Sequence, residues 1–102
     1  MRKVERNKKF TTSDTQQLET LLDEGGLTII HIHLEAGVKV SRHHTPESAV
    51  IIIYKGKVLF SSDEETVEIV PGKVIALAPN EWHHLESVEE SDIMVVKSIL
   101  KK

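Results

Sequence analysis

Apolar and polar residues alternate along most of this chain in short runs, and turn residues break the runs. "LTIIHIHL" (27–34) ends at "EAG", "VKVSRH" follows, and "SAVIIIYK" breaks at Gly56. "KVLFSS" meets the charged turn "DEE", "TVEIV" ends at Pro71-Gly72, and "KVIALA" ends at Pro79-Asn80. "WHHLES" and "DIMVVKSIL" complete the series. About eight short strands so spaced predict an all-β sandwich or barrel. Upstream, Ser13-Asp14 and "TQQLETLLDEGG" predict one short helix over residues 13–26. Ser13 or Asp14 caps it, Leu18, Leu21 and Leu22 share a side, and Gly25-Gly26 stop it. A single helix excludes a parallel α/β alternation.

The stretch Val50–Ile53 is apolar on both faces. Alternation sends Ala49, Ile51 and Ile53 to the core and Val50, Ile52 and Tyr54 outward. Such an outer stripe needs cover from a second sheet, the N-terminal segment or a partner subunit. A homodimer is the commonest cover.

Composition narrows the classes further. The 102 residues suit one domain, divided into an arm (1–12), the short helix (13–26) and a barrel (27–100). With four aromatic residues, Val, Ile and Leu must build the core. The absence of cysteine removes disulfides, thiolate metal sites and a cysteine nucleophile. Net charge is −3, and residues 1–9 carry +4, which leaves −7 on the remainder. A body of that charge repels phosphate, so no nucleic-acid partner is expected. No basic-then-apolar leader or membrane-length apolar run is present, so the expectation is a cytoplasmic protein with no membrane partner.

Six histidines fall into three close pairs: His31 and His33, His43 and His44, His83 and His84. If His43 faces the interior, so do Ser41 and Thr45, while Arg42 and His44 face out. If His83 faces in, so does Leu85, and His84 faces out. His31 and His33 share a face opposite Ile30, Ile32 and Leu34, either a cavity wall or a solvated strand face. Neutral imidazoles ligate Zn, Fe, Ni, Cu or Mn, and two of them with a carboxylate can hold Fe(II). Two neutral histidines hydrogen-bonded in a polar pocket fit the pattern equally well. No Ser-His-Asp arrangement, glycine-rich phosphate loop or paired-carboxylate pattern stands out.

Spacing adds a family. Gly37, five residues, His43, and Gly56 thirteen residues later follow the frame G-x5-H-x-H-x3-E-x6-G. Gly72, five residues and "APNEWH" follow G-x5-P-x-G-x2-H-x3-N. With both motifs in register, residues 27–100 resemble a small single-domain cupin of the short H-x-T-P subgroup. The resemblance implies a double-stranded β-helix, or jelly-roll barrel, behind the one short helix. It places His43 and His83 at metal-binding positions for a divalent Zn, Fe, Mn or Ni ion. Thr45 stands at the second histidine position, Ala49 at the glutamate, Ala78 at a proline, Asn80 at a glycine and Ser87 at the final asparagine. Two of the four usual ligands are therefore replaced.

The expected function is small-molecule binding in a histidine-lined barrel pocket, with His33, Thr45, Glu47 and Trp82 toward the ligand. Glu47 is the carboxylate nearest in sequence to the Ala49 position, but Pro46 interrupts the alternation and leaves its direction open. Trp82 beside His83 either packs or walls the pocket. Two alternatives stand: a metal-dependent oxygenase, isomerase or decarboxylase, and a non-enzymatic sensor or structural subunit with a vestigial pocket. Thr45 and Ala49 favour binding or a vestigial pocket over catalysis.

Overall fold

The computed structural model describes residues 3 and 16–98. Alternating apolar positions within 16–98 draw nine strands into two sheets. They are β1 (Gln16–Glu24), β2 (Leu27–Leu34), β3 (Lys39–His43), β4 (Ser48–Lys55), β5 (Val58–Ser62), β6 (Thr66–Ile69), β7 (Val74–Leu77), β8 (His83–Ser87) and β9 (Ser91–Ser98). A five-stranded sheet runs β1-β2-β9-β4-β7 and a four-stranded sheet runs β3-β8-β5-β6. Every neighbouring pair is antiparallel. The all-β expectation holds. Among the described residues no helix is long and apolar enough to cross a membrane.

The inner faces of both sheets form the core. Ala49, Ile51 and Ile53 of β4 are 3%, 4% and 1% exposed, against 46% for Tyr54, so the strand is sided as its alternation expects. Ile93 and Val95 of β9 meet them from the neighbouring strand, and Val58, Phe60 and Leu85 face them from the other sheet.

Two local expectations are corrected. The helix expected over 13–26 is a strand through Gln16–Glu24; residues 13–15 lie outside the described residues. Pairing with β2 along its length outweighs the helix propensity of "QQLETLLDE", a weak force beside a sheet partner. Gly25 and Gly26 do not stop a helix but turn a hairpin. Their φ values of 61° and 80° are what a two-residue type I′ loop requires at both centres. A bulge at Leu21, between Thr20 and Leu22, absorbs the residue that breaks strict alternation.

The second correction concerns β3. Val40 pairs with Leu85 and His43 with His83, so three residues of β3 advance against two of β8. This bulge is why the simple alternation from Ser41 to Thr45 does not hold. Asn80, at the motif's glycine position, takes φ 64°, a left-handed conformation that asparagine tolerates better than most residues. From there its backbone N–H donates to the Thr45 carbonyl at 2.6 Å, tying the β7–β8 turn to the loop after β3.

Candidate functional site

Between the sheets lies a cavity of about 270 Å³. Its depth is apolar, walled by Ile32, Leu34, Ile51, Leu85, Ile93 and Val95. Polar groups gather at one end, where His43, His44, Thr45, His83 and Lys97 join the lining.

His43 and His83 are cross-strand partners on β3 and β8, which sets their rings side by side. The ring centroids are 4.1 Å apart and nearly edge-to-face, at 66°. Nδ1 of His43 lies 2.7 Å from the Ser41 carbonyl, and Nδ1 of His83 lies 3.0 Å from the Glu81 carbonyl. A carbonyl only accepts, so both Nδ1 atoms carry the proton, and each neutral ring presents the Nε2 lone pair. Phe60 stacks on His83 at 5.4 Å and 14°. His83 is 4% exposed, whereas His43 is exposed at the mouth.

Burial pushes the His83 pKa below its ordinary value of 6.5, against the opposing pull of the Glu81 carbonyl. The His43 ring and Lys97 push it further down. A lowered pKa means that, just below 6.5, the unfolded chain holds a proton the folded one does not. Stability from this group is complete above that value and is lost as pH falls through the folded pKa. The urea midpoint should therefore drop between about pH 7 and pH 5, and His83→Gln should flatten that drop. A midpoint that rises over this range would contradict the assignment.

The other expected site residues disperse. Thr45 lines the cavity, and its hydroxyl donates to Glu47 Oε1 at 3.2 Å. Glu47 itself is not part of the lining. Trp82 sits outside on the rim, edge-on to His44 at 4.2 Å, with the Arg42 guanidinium 4.2 Å above its ring. Arg42 in turn holds Asp63 through both carboxylate oxygens, which keeps that carboxyl below its usual pKa.

His33 is a correction. Ile30, Ile32 and Leu34 of β2 line the cavity, so period-two alternation sends His31 and His33 to the opposite face of the five-stranded sheet. There His33 Nδ1 lies 2.8 Å and His31 Nε2 3.2 Å from the same Asp92 oxygen. Within the described residues, the one group able to offer a metal three ligands is His33, Glu35 and Glu90, on this outer face. Sequence reasoning passed over both Asp92 and Lys97. The phase of β9 carried the signal: Ile93, Val95 and Lys97 alternate on one side, Asp92 and Met94 on the other.

Two antiparallel sheets closed over an apolar cavity, with a histidine from each motif at its mouth, define a cupin-type double-stranded β-helix. The chain belongs to the AraC-like ligand-binding domain family, whose model matches residues 25–96. Solved structures of low identity share the fold. A cupin superfamily protein from Desulfitobacterium hafniense DCB-2 is 14% identical with a TM-score of 0.81, covering 89% of this chain and 84% of that one. An RmlC-like cupin family protein from Methanocaldococcus jannaschii, with a double-stranded β-helix fold, is 20% identical with a TM-score of 0.80, covering 97% and 91%. A conserved protein of unknown function from Streptococcus pyogenes is 22% identical with a TM-score of 0.79, covering 100% and 98%. Comparison with curated proteins gives no match.

Proposed function

We propose that this protein binds a small organic molecule inside its barrel, with His43, His83 and Thr45 as polar contacts at the mouth. One observation carries the reading: an apolar cavity of about 270 Å³ ends in two histidines whose backbone hydrogen bonds fix them as acceptors. Pockets of this kind combine apolar walls for affinity with a few placed polar groups for orientation.

The fold family implies a transition metal at His43 and His83, and the donor set does not fit one. Two Nε2 atoms are available there, and among the described residues no third histidine or carboxylate joins them. Thr45 and Ala49 occupy the places of the missing ligands, His33 lies across the sheet, and Glu47 is outside the lining. A catalytic metal takes about three protein ligands plus an open position. The binding reading is therefore favoured over the metal-dependent enzyme.

The test uses a neutral apolar probe, 1-octanol, followed by NMR methyl shifts. Resonances of Ile51, Ile93 and Val95 should move in a saturable way, and Ala49→Phe, which fills the cavity, should abolish the effect. Shifts confined to Ile52 and Met94 on the outer face would overturn the pocket reading.

The outer face of β4 supports a second proposal, a homodimer through Val50, Ile52 and Tyr54. The half-buried Val50 and Ile52 together with Tyr54 form an apolar stripe. Covering it stabilises by roughly 25 cal/mol per Å² of apolar area. Light scattering at micromolar concentration should give a dimer, shifted toward monomer or aggregate by Ile52→Lys; a monomeric parent would end this proposal.

A further inference from the structure

Deepening the pocket reading above and resting on it, we infer that the ligand is a small apolar carboxylate whose charged head meets Lys97. β9 sends Ile93, Val95 and Lys97 to the same side, and all three line the cavity. Lys97 pairs in register with Ala49, beside the loop that carries Thr45 and Pro46, so it stands at the polar end with His43 and His83. Among the described residues no aspartate or glutamate belongs to the lining. Among the described residues no carboxylate pairs with Lys97. The body of the protein is acidic, so an unopposed cation at an apolar pocket is a local exception to its charge.

The physical chemistry then selects the ligand. Lys97 is half-buried as a residue and lines an apolar pocket without a counter-charge, a setting in which a paired anion is favoured. A carboxylate supplies the pair through a charge-assisted hydrogen bond, stronger than one between neutral groups. The apolar depth beyond Val95 calls for a hydrocarbon tail rather than a second polar group. Size follows from scale. A dry cavity of about 150 Å³ accepts benzene. By the same ratio this one takes roughly ten or eleven heavy atoms, the size of a medium-chain or aryl-alkyl acid. Among the described lining residues Lys97 is the single lysine or arginine, so one carboxylate is recognised and a dicarboxylate would bury its second charge among leucines and isoleucines.

The experiment compares octanoate with 1-octanol, which share a tail and differ in charge, by calorimetric titration of the full chain. In the parent, octanoate should bind about 10- to 100-fold more tightly than octanol, the range of a hydrogen bond to a charged group. Lys97→Met, which keeps the stem and removes the charge, should bring that ratio close to one. Lys73→Met, in the turn before β7, removes an equal charge elsewhere and should leave the ratio as in the parent. Equal binding of the two probes by the parent would overturn the carboxylate inference while leaving the pocket reading intact. A preference for octanoate that survives in Lys97→Met would overturn the role of Lys97. Binding of neither probe would bring down the pocket reading and the inference together.

Discussion

Gly56→Ala is expected to destabilise the protein by roughly 3 kcal/mol or more, summed from overpacking and a left-handed backbone. Gly56 ends β4 at φ 92°, where an L side chain is strained whatever space surrounds it. There is also no space. A Cβ built there would meet the Glu90 carbonyl oxygen and Ser91 Oγ well inside van der Waals contact, with Ser91 Cα at 2.8 Å. Two of those three atoms belong to the backbone and cannot rotate away. The third cannot leave without cost, because Ser91 Oγ donates to the Glu89 carbonyl at 2.8 Å and accepts the Lys57 N–H at 3.1 Å. Gly56→Ala with Ser91→Ala should therefore recover little of the loss. A domain of this size has only about 5–15 kcal/mol in total. In urea, the midpoint should fall by about 1 M or more at ordinary slopes. An unchanged midpoint would show that the turn relaxes freely.

That glycine was legible as part of a motif, and its reason is physical: the β4–β5 turn passes directly against the start of β9. Other parts of the fold were legible for equally local causes. Val50–Ile53 could only be a strand covered on both faces, and turn residues at short intervals left little but antiparallel β structure. The first strand was not legible. "QQLETLLDE" is made of good helix formers, and its strand state comes from β2, a partner that no local window contains. The Gly25-Gly26 pair was compatible with both a helix stop and a type I′ hairpin, and only the pairing decides between them.

The site divides along the same line. His43 and His83 came together because two spacing motifs place them opposite each other on adjacent strands, a constraint carried by sequence alone. His33 was misplaced because alternation says which residues share a face, not which face lines the cavity. Ile30, Ile32 and Leu34 settled that by taking the interior. Lys97 escaped notice since a lysine near the end of an apolar strand reads as solvated. Its alternation phase with Ile93 and Val95 counts for more than its charge. The β3 bulge could not be anticipated either, as nothing in "VKVSRH" marks an extra residue.

Asp92→Ala is the second large effect expected, about 2 kcal/mol or more of lost stability, the scale for leaving a buried donor without its charged acceptor. Asp92 is 5% exposed and His31 is fully buried, although both lie on the side of the five-stranded sheet away from the cavity. One carboxylate oxygen of Asp92 sits 2.8 Å from His33 Nδ1 and 3.2 Å from His31 Nε2. A carboxylate oxygen only accepts, so His33 Nδ1 donates to it and Asp92 orients that ring directly, while His31 Nε2 packs beside the same oxygen. The Tyr54 ring, 5.7 Å from His31, and Glu90, 3.6 Å from His33 Nε2, flank the group. Alanine removes the acceptor of the His33 N–H and the carboxylate against which the buried His31 ring packs. The Asp92→Asn variant keeps an amide oxygen as acceptor but loses the charge, so about half the effect is expected, within the range for a hydrogen bond to a charged group. Urea unfolding of the parent and both variants gives the three stabilities directly. The 1-octanol shifts of Ile51, Ile93 and Val95 should persist in Asp92→Asn, because the cluster and the cavity lie on opposite faces of one sheet. An Asp92→Ala protein within about 0.5 kcal/mol of the parent, the usual span for a surface substitution, would mean that neither ring depends on Asp92 for its place.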